Sequence, residues 1–157
     1  MKVYLVRHGE AVSSQFDPKR PLSQQGLADV QKIASFIKSL KISVEHIWHS
    51  GKLRAAQTAE ILGSVMLMKD CSARDGLGPN DDITTITEEL EAYDTDLMIV
   101  GHLPFLGYLV SLLLADRQTA NIVTFDAGSI ACLNRSDPGR WQIEWMITPE
   151  ILQRASE

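Results

Sequence analysis

The sequence has little that would tie its 157 residues to a special environment. Cysteine occurs twice, at Cys71 and Cys132, without the paired spacing of a zinc site or redox dithiol, so both read as reduced thiols and point to the cytoplasm. Long hydrophobic runs are missing. The greasiest stretch, Leu103 to Ala115, is interrupted by Pro104, Gly107 and Ser111 and falls well short of the roughly 20 residues that span a bilayer, so a buried helix is expected and no membrane span. The apolar run Val3 to Val6 halts at Arg7 and His8 with no small-residue cleavage site behind it, and no signal peptide is expected. Positive charge is in deficit: 15 Lys and Arg face 20 Asp and Glu, a net charge of -5. That balance opposes broad attraction to nucleic acid or anionic lipid and leaves room only for a local basic pocket. Repeats, low-complexity tracts and linkers are also lacking, so residues 1–157 are expected to form a single domain. At 45% hydrophobic and 22% charged residues, such a domain needs neither disulfide nor metal to hold its core.

What is present alternates between strand and helix. Lys2 to Val6 is a short β-branched and aromatic run with the look of a buried strand. After a loop through Asp17-Pro18 and Pro21, Ser23 is placed to cap a helix whose apolar residues Leu27, Val30, Ile33, Ala34, Ile37 and Leu40 recur every three or four positions. A second strand is expected near Val44 to Trp48, then a helix with Leu53, Ala56, Ala59, Ile61 and Leu62 on its apolar face, then a brief strand at Val65 to Met68. Asp81 or Asp82 caps a helix around Ile83 to Tyr93, whose Glu88, Glu89 and Glu91 read as a solvated face. Asp96 to Val100 repeats the first pattern, a short apolar strand followed by Gly101-His102 and a helix with Pro104 near its first turn. Ile130 to Leu133 and Trp141 to Ile147 form a final pair of strands around a turn at Asp137-Pro138-Gly139, with Trp141 and Trp145 in the core and a surface tail from Pro149. Strands alternating with helices imply an α/β fold, a three-layer α/β/α sandwich with a mostly parallel central sheet.

In such sheets ligands bind outside the carboxyl ends of the strands. Three of those ends carry unusual polar residues: Arg7-His8-Gly9 after the first strand, Arg54 beyond the second, and Gly101-His102 after the strand ending at Val100. Arginine offers a planar fork of donors suited to phosphate oxygens, and histidine serves as nucleophile, proton carrier or donor near neutral pH. Together they point to a phosphoryl-transfer pocket, with the N-termini of the helices starting near Arg54 and Pro104 adding partial positive charge. His46 and His49 lack that convergent setting and read as structural. Lys19-Arg20 either helps to receive an acidic or phosphorylated partner or is simply a solvated loop pair.

Leu5-Val6-Arg7-His8-Gly9-Glu10 resembles the signature, with its Arg-His-Gly motif, of the histidine phosphatase superfamily, also called the phosphoglycerate mutase-like superfamily. The segment from Ser50 to Ala59 is similar to its second motif and Val100-Gly101-His102 to its third. Within the superfamily, the short chain, Arg20-Pro21-Leu22-Ser23 followed by Gly26, and His102-Leu103-Pro104 before a hydrophobic helix most resemble SixA-type phosphohistidine phosphatases. The resemblance implies a phosphoglycerate mutase-like fold and a hydrolase without cofactor or metal. His8 would attack phosphorus and become phosphorylated, with Arg7, Arg54 and His102 holding the phosphoryl oxygens; a substrate-binding role for Arg20 rests on its place in the loop after the first strand. The implied partner is a phosphohistidine-bearing protein of a phosphorelay or phosphotransferase system, and the implied products include phosphate.

Two departures stand out. Family members commonly carry Pro where this sequence has Gly51, a change expected to loosen the entry to the Arg54 helix. Branches acting on phosphoesters also supply a carboxylic acid for the leaving alkoxide; here Asp81 and Asp82 lie in roughly the right part of the chain, with helix capping as their other reading. A phosphohistidine substrate needs less help, because imidazole leaves as a neutral ring. Two rivals stay open: a phosphatase for small phosphoesters, and a phosphohistidine-binding module without turnover.

Overall fold

The computed structural model describes residues 1–119 and 122–157. Among the described residues, six strands form one sheet in the order β3-β2-β4-β1-β5-β6. They are β1 (Lys2–Arg7), β2 (His46–His49), β3 (Asp70–Ala73), β4 (Leu97–Gly101), β5 (Ile130–Asp137) and β6 (Arg140–Ile147). The pairs β1–β4, β2–β4 and β2–β3 are parallel, and β5 runs against both β1 and β6. The helices are α1 (Gln24–Ser39), α2 (Leu53–Gly63), α3 (Thr84–Ala92), α4 (Phe105–Ala115) and α5 (Pro149–Ala155).

Strand alternation sorts the core into two halves, since successive side chains leave opposite faces of a sheet. Val3 and Leu5 of β1 and Leu97 and Ile99 of β4 meet α3 and α4 through Ile86, Leu90, Phe105, Leu109 and Val110. Tyr4, Val6, Met98 and Val100 face the other way, against Val30, Ile33 and Ile37 of α1 and Ala55, Ala59 and Leu62 of α2. The result is the three-layer sandwich with a largely parallel sheet, and helix α4 is buried along most of its length.

Three local expectations change. Val65 to Met68 is not the third strand: Leu67 makes one isolated bridge with Ser43 and is 77% exposed, and β3 begins at Asp70. An edge strand pairs on one side only, so the polar run Asp70-Cys71-Ser72-Ala73 suffices while the greasier run before it is used to turn out of α2. The segment from Pro149 is helix α5, with the Thr148 hydroxyl accepting from the Ile151 amide and Leu152 packed on the α1 side of the core. A Thr cap, a first-position Pro and Glu150 in the first turn are the sequence signals for it. The acidic face of α3 is engaged as well as solvated: Glu89 pairs with Arg74 at 2.7 Å, and Glu91 accepts from Trp141 Nε1 and the Gly139 amide.

Candidate active site

The sheet order places β4 between β2 and β1, so three carboxyl ends lie side by side. Arg7 pairs in register with Gly101, and the His8 amide donates to the Gly101 carbonyl at 3.0 Å. The next residues on the two parallel strands are therefore neighbours, and the His8 and His102 ring centroids stand 4.9 Å apart. On the other flank of β4, His49 pairs with Val100, and the chain then turns through Ser50 and Gly51 into α2. Arg54, the second residue of that helix, points its Nε at His8 Nε2 from 3.4 Å. His8, Arg54 and His102 are all buried.

The two nitrogens of His8 have distinct partners. Nδ1 lies 2.7 Å from the carbonyl of Gly9, which only accepts, so Nδ1 carries the proton and Nε2 presents a lone pair toward Arg54. Burial first, and then the charges of Arg54, Arg7 and Arg20, push the His8 pKa down to about 4. Burial, with His8, Arg54, Lys52 and Arg20 around it, pushes His102 down to about 3. Both rings are thus neutral imidazoles at neutral pH. Arg7 and Arg54 also have pKa values lowered by burial. Among the described residues no carboxylate forms an ion pair with Arg7, Arg20 or Arg54. A cup of cations and neutral donors in which no carboxylate closes on the arginines, Asp126 bearing on Arg7 only from beyond ion-pair distance, is suited to a tetrahedral anion.

The segments carrying these groups are tied to one another. The Gly9 amide donates to Thr58 Oγ1 at 3.0 Å, and the Leu22 amide donates to Gln57 Oε1 at 2.7 Å, so the Gln57-Thr58 pair of α2 holds the loop that follows β1. Gly26 is where α1 crosses that loop: a Cβ there would lie 2.0 Å from the Glu10 carbonyl oxygen. Just before β5, the Gly128 amide reaches the carbonyls of Arg7 and His8, while the Arg7 guanidinium donates to the Phe125 carbonyl at 2.7 Å. Thr58, Phe125 and Gly128 were not singled out by the sequence. The first sits inside the second motif without a chemical role of its own to announce it, and the other two come from a segment remote in sequence.

Arg20 lies near the cup, its charge bearing on His8, Arg54 and His102, and its Nε donates to the Val12 carbonyl at 3.0 Å. Asp81 and Asp82 are spent on their own loop: Asp81 accepts from the Gly78 amide and Asp82 from the Thr84 amide, both at 2.7 Å. They line a cleft of about 320 Å³ with Pro79, Pro104 and Tyr108, whose walls include none of the four motif side chains. His46 is bonded to Asp70 and stacked on Trp48, and His49 Nδ1 accepts from the Gly51 amide at 3.1 Å. Gly51 has φ +83°, which proline cannot adopt, so the turn in this course excludes the Pro common in the family. Among the described residues, no three His, Cys, Asp or Glu side chains gather as a metal site.

The model of the Histidine phosphatase superfamily (branch 1) matches residues 3–77. Phosphohistidine phosphatase SixA of Escherichia coli (strain K12) is 28% identical over 161 aligned positions, covering 99% of this chain and 98% of that protein. An uncharacterized protein of Picosynechococcus is 34% identical over 114 positions, covering 68% of this chain and 69% of that one. The solved structure of the protein histidine phosphatase SixA complexed with tungstate superposes with a TM-score of 0.86 at 28% identity, covering 97% of this chain and 99% of that one.

Proposed function

The chain belongs to the histidine phosphatase superfamily and is of its SixA type, and on that premise we propose that it hydrolyses protein phosphohistidine through a covalent phospho-His8 intermediate. The observation that carries this reading is the His8 tautomer: Nδ1 bonded to the Gly9 carbonyl, Nε2 open toward Arg54. His8 Nε2 attacks phosphorus as the substrate's P–N bond breaks, and the electron pair of that bond leaves on an imidazole whose other nitrogen carries a proton. The phosphorylated His8 ring is an imidazolium whose Nδ1–H the Gly9 carbonyl stabilises. Water then attacks phosphorus, His8 leaves as a neutral ring, and inorganic phosphate is released. Arg7, Arg54 and His102 hold the equatorial oxygens, where charge persists through a loose transition state, and no step calls for a metal.

A nitrogen-linked substrate is favoured over a phosphoester because the leaving imidazole needs no strong acid. Asp82, whose pKa is lowered by its bonds to Thr84, is held as a carboxylate, and Asp81 is tied to Gly78. A phosphohistidine carrier protein and a panel of small phosphoesters, assayed with wild type and His8→Ala, test the assignment. Wild type is expected to release phosphate from the carrier faster than from any ester and to take up label that survives an alkaline detergent quench and is lost in acid, which His8→Ala does not. Preference for esters would move the substrate to the small-molecule class, binding without release would leave a reader module, and robust turnover by His8→Ala would refute the nucleophile.

A further inference from the structure

We propose that Ser50 is a positioning residue for His102: its hydroxyl accepts the Nε2–H of that imidazole in the free protein and so keeps the proton on Nε2, from where a phosphoryl oxygen takes over or shares the N–H when substrate binds. The inference deepens the proposed reaction and rests on that reading for its catalytic meaning. Ser50 Oγ lies 2.5 Å from His102 Nε2, and the histidine is 1% exposed. The other ring nitrogen, Nδ1, is buried and has no hydrogen-bond partner among the described residues. A neutral imidazole has one N–H and one lone pair to distribute. Putting the proton on Nδ1 would bury an unpaired donor, the costlier of the two deficits, whereas on Nε2 it meets the Ser50 oxygen. Burial holds the ring neutral, so the choice between the two tautomers is a real one.

Ser50 is itself placed for an acceptor role. The Lys52 amide approaches its Oγ at 3.4 Å, so the second lone pair is also occupied and the hydroxyl proton stays uncommitted. The turn that presents it depends on Gly51, whose positive φ carries the chain from the end of β2 into α2. The donor on His102 is thereby set before substrate arrives, which is how preorganised groups contribute to catalysis.

The test uses ¹⁵N NMR of the His102 ring together with the rate of phospho-His8 labelling, in wild type, Ser50→Ala and Ser50→Thr. Wild type is expected to show the Nε2–H tautomer. Ser50→Ala should shift the ring toward Nδ1–H or a mixture and slow labelling about 10–100-fold, the range typical of groups that orient a functional histidine. Ser50→Thr, which keeps the hydroxyl, should restore both. A wild-type ring protonated on Nδ1 overturns the proposal whatever the variants do, and so does Ser50→Ala with either readout unmoved. Failure of wild type to take up label would sink the proposed reaction and leave the tautomer to be decided by the spectrum.

Discussion

A histidine acts as a nucleophile only while unprotonated, and His8 keeps its lone pair because the fold makes a second charge there expensive. His8 and His102 have folded pKa values of about 4 and about 3, below the unfolded value of about 6.5. As pH falls from about 6.5 toward 4, the unfolded chain takes up protons that the folded chain refuses, so stability falls with pH in that window and gains nothing from these groups above it. The urea midpoint is therefore expected to be lower at pH 5 than at pH 7, with a smaller difference in the double variant His8→Asn, His102→Asn. An undiminished difference would show that burial does not hold these rings neutral. Arg54 supplies a second prediction at this scale. Arg54→Ala should slow phosphoryl transfer to His8 by about 10²–10³, as for loss of one oxyanion donor. Arg54→Lys should recover little, because a point charge does not reproduce a planar fork; full recovery would leave charge alone as the requirement.

The elements carrying the site fit together at contacts that leave no spare room. Helix α1 crosses the loop after β1 at Gly26, where a Cβ would meet backbone atoms of Glu10 that cannot swing aside. Gly26→Ala should destabilise the protein by about 1–3 kcal/mol or more, the usual range for overpacking, read as a lower urea midpoint at unchanged slope. The turn from β2 into α2 behaves differently. Gly51→Pro would restore the residue common in the family, yet it forces φ from +83° to about −65°. Slower His8 labelling is expected, since Ser50 and Arg54 flank that turn; unchanged labelling would mean that they reach the cup independently of it.

Across the whole molecule a net charge of -5 coexists with a cup in which Arg7 and Arg54, with Arg20 nearby, lack ion-pair partners among the described residues. Crowded cations repel one another, and a bound tetrahedral anion relieves that repulsion in the folded state alone. Vanadate or phosphate should raise the melting temperature, with stabilisation of about 2.7 kcal/mol at a hundredfold excess over Kd. Arg54→Ala should shrink the shift, and an equal shift in that variant would place the anion elsewhere. The parallel sheet makes this site because β4, late in the chain, inserts between β1 and β2, bringing Arg7, His8, Ser50 and His102 to one edge.

Elements with local signals could be read directly from the order of residues. Ser23 caps α1 as its spacing implies, β1 and β4 are the apolar runs that precede Arg7 and His102, and the greasiness of α4 reflects burial. Arginine and histidine at strand ends marked His8, Arg7, Arg54 and His102 as candidates, because few other reasons put those residue types there, and the fold brings His8, Arg54 and His102 together. Polar edge strand β3 and helix α5 were missed because one lacks an apolar pattern and the other announces itself only through its cap. Long-range packing set which nitrogen of His8 is open, that Thr58 and Gly128 clasp its loop, that Asp81 and Asp82 serve their own turn, and that Ser50 meets His102. Hydrogen-bond partners and burial depend on distances between segments far apart in the chain, and those distances exist only once the strand order is set.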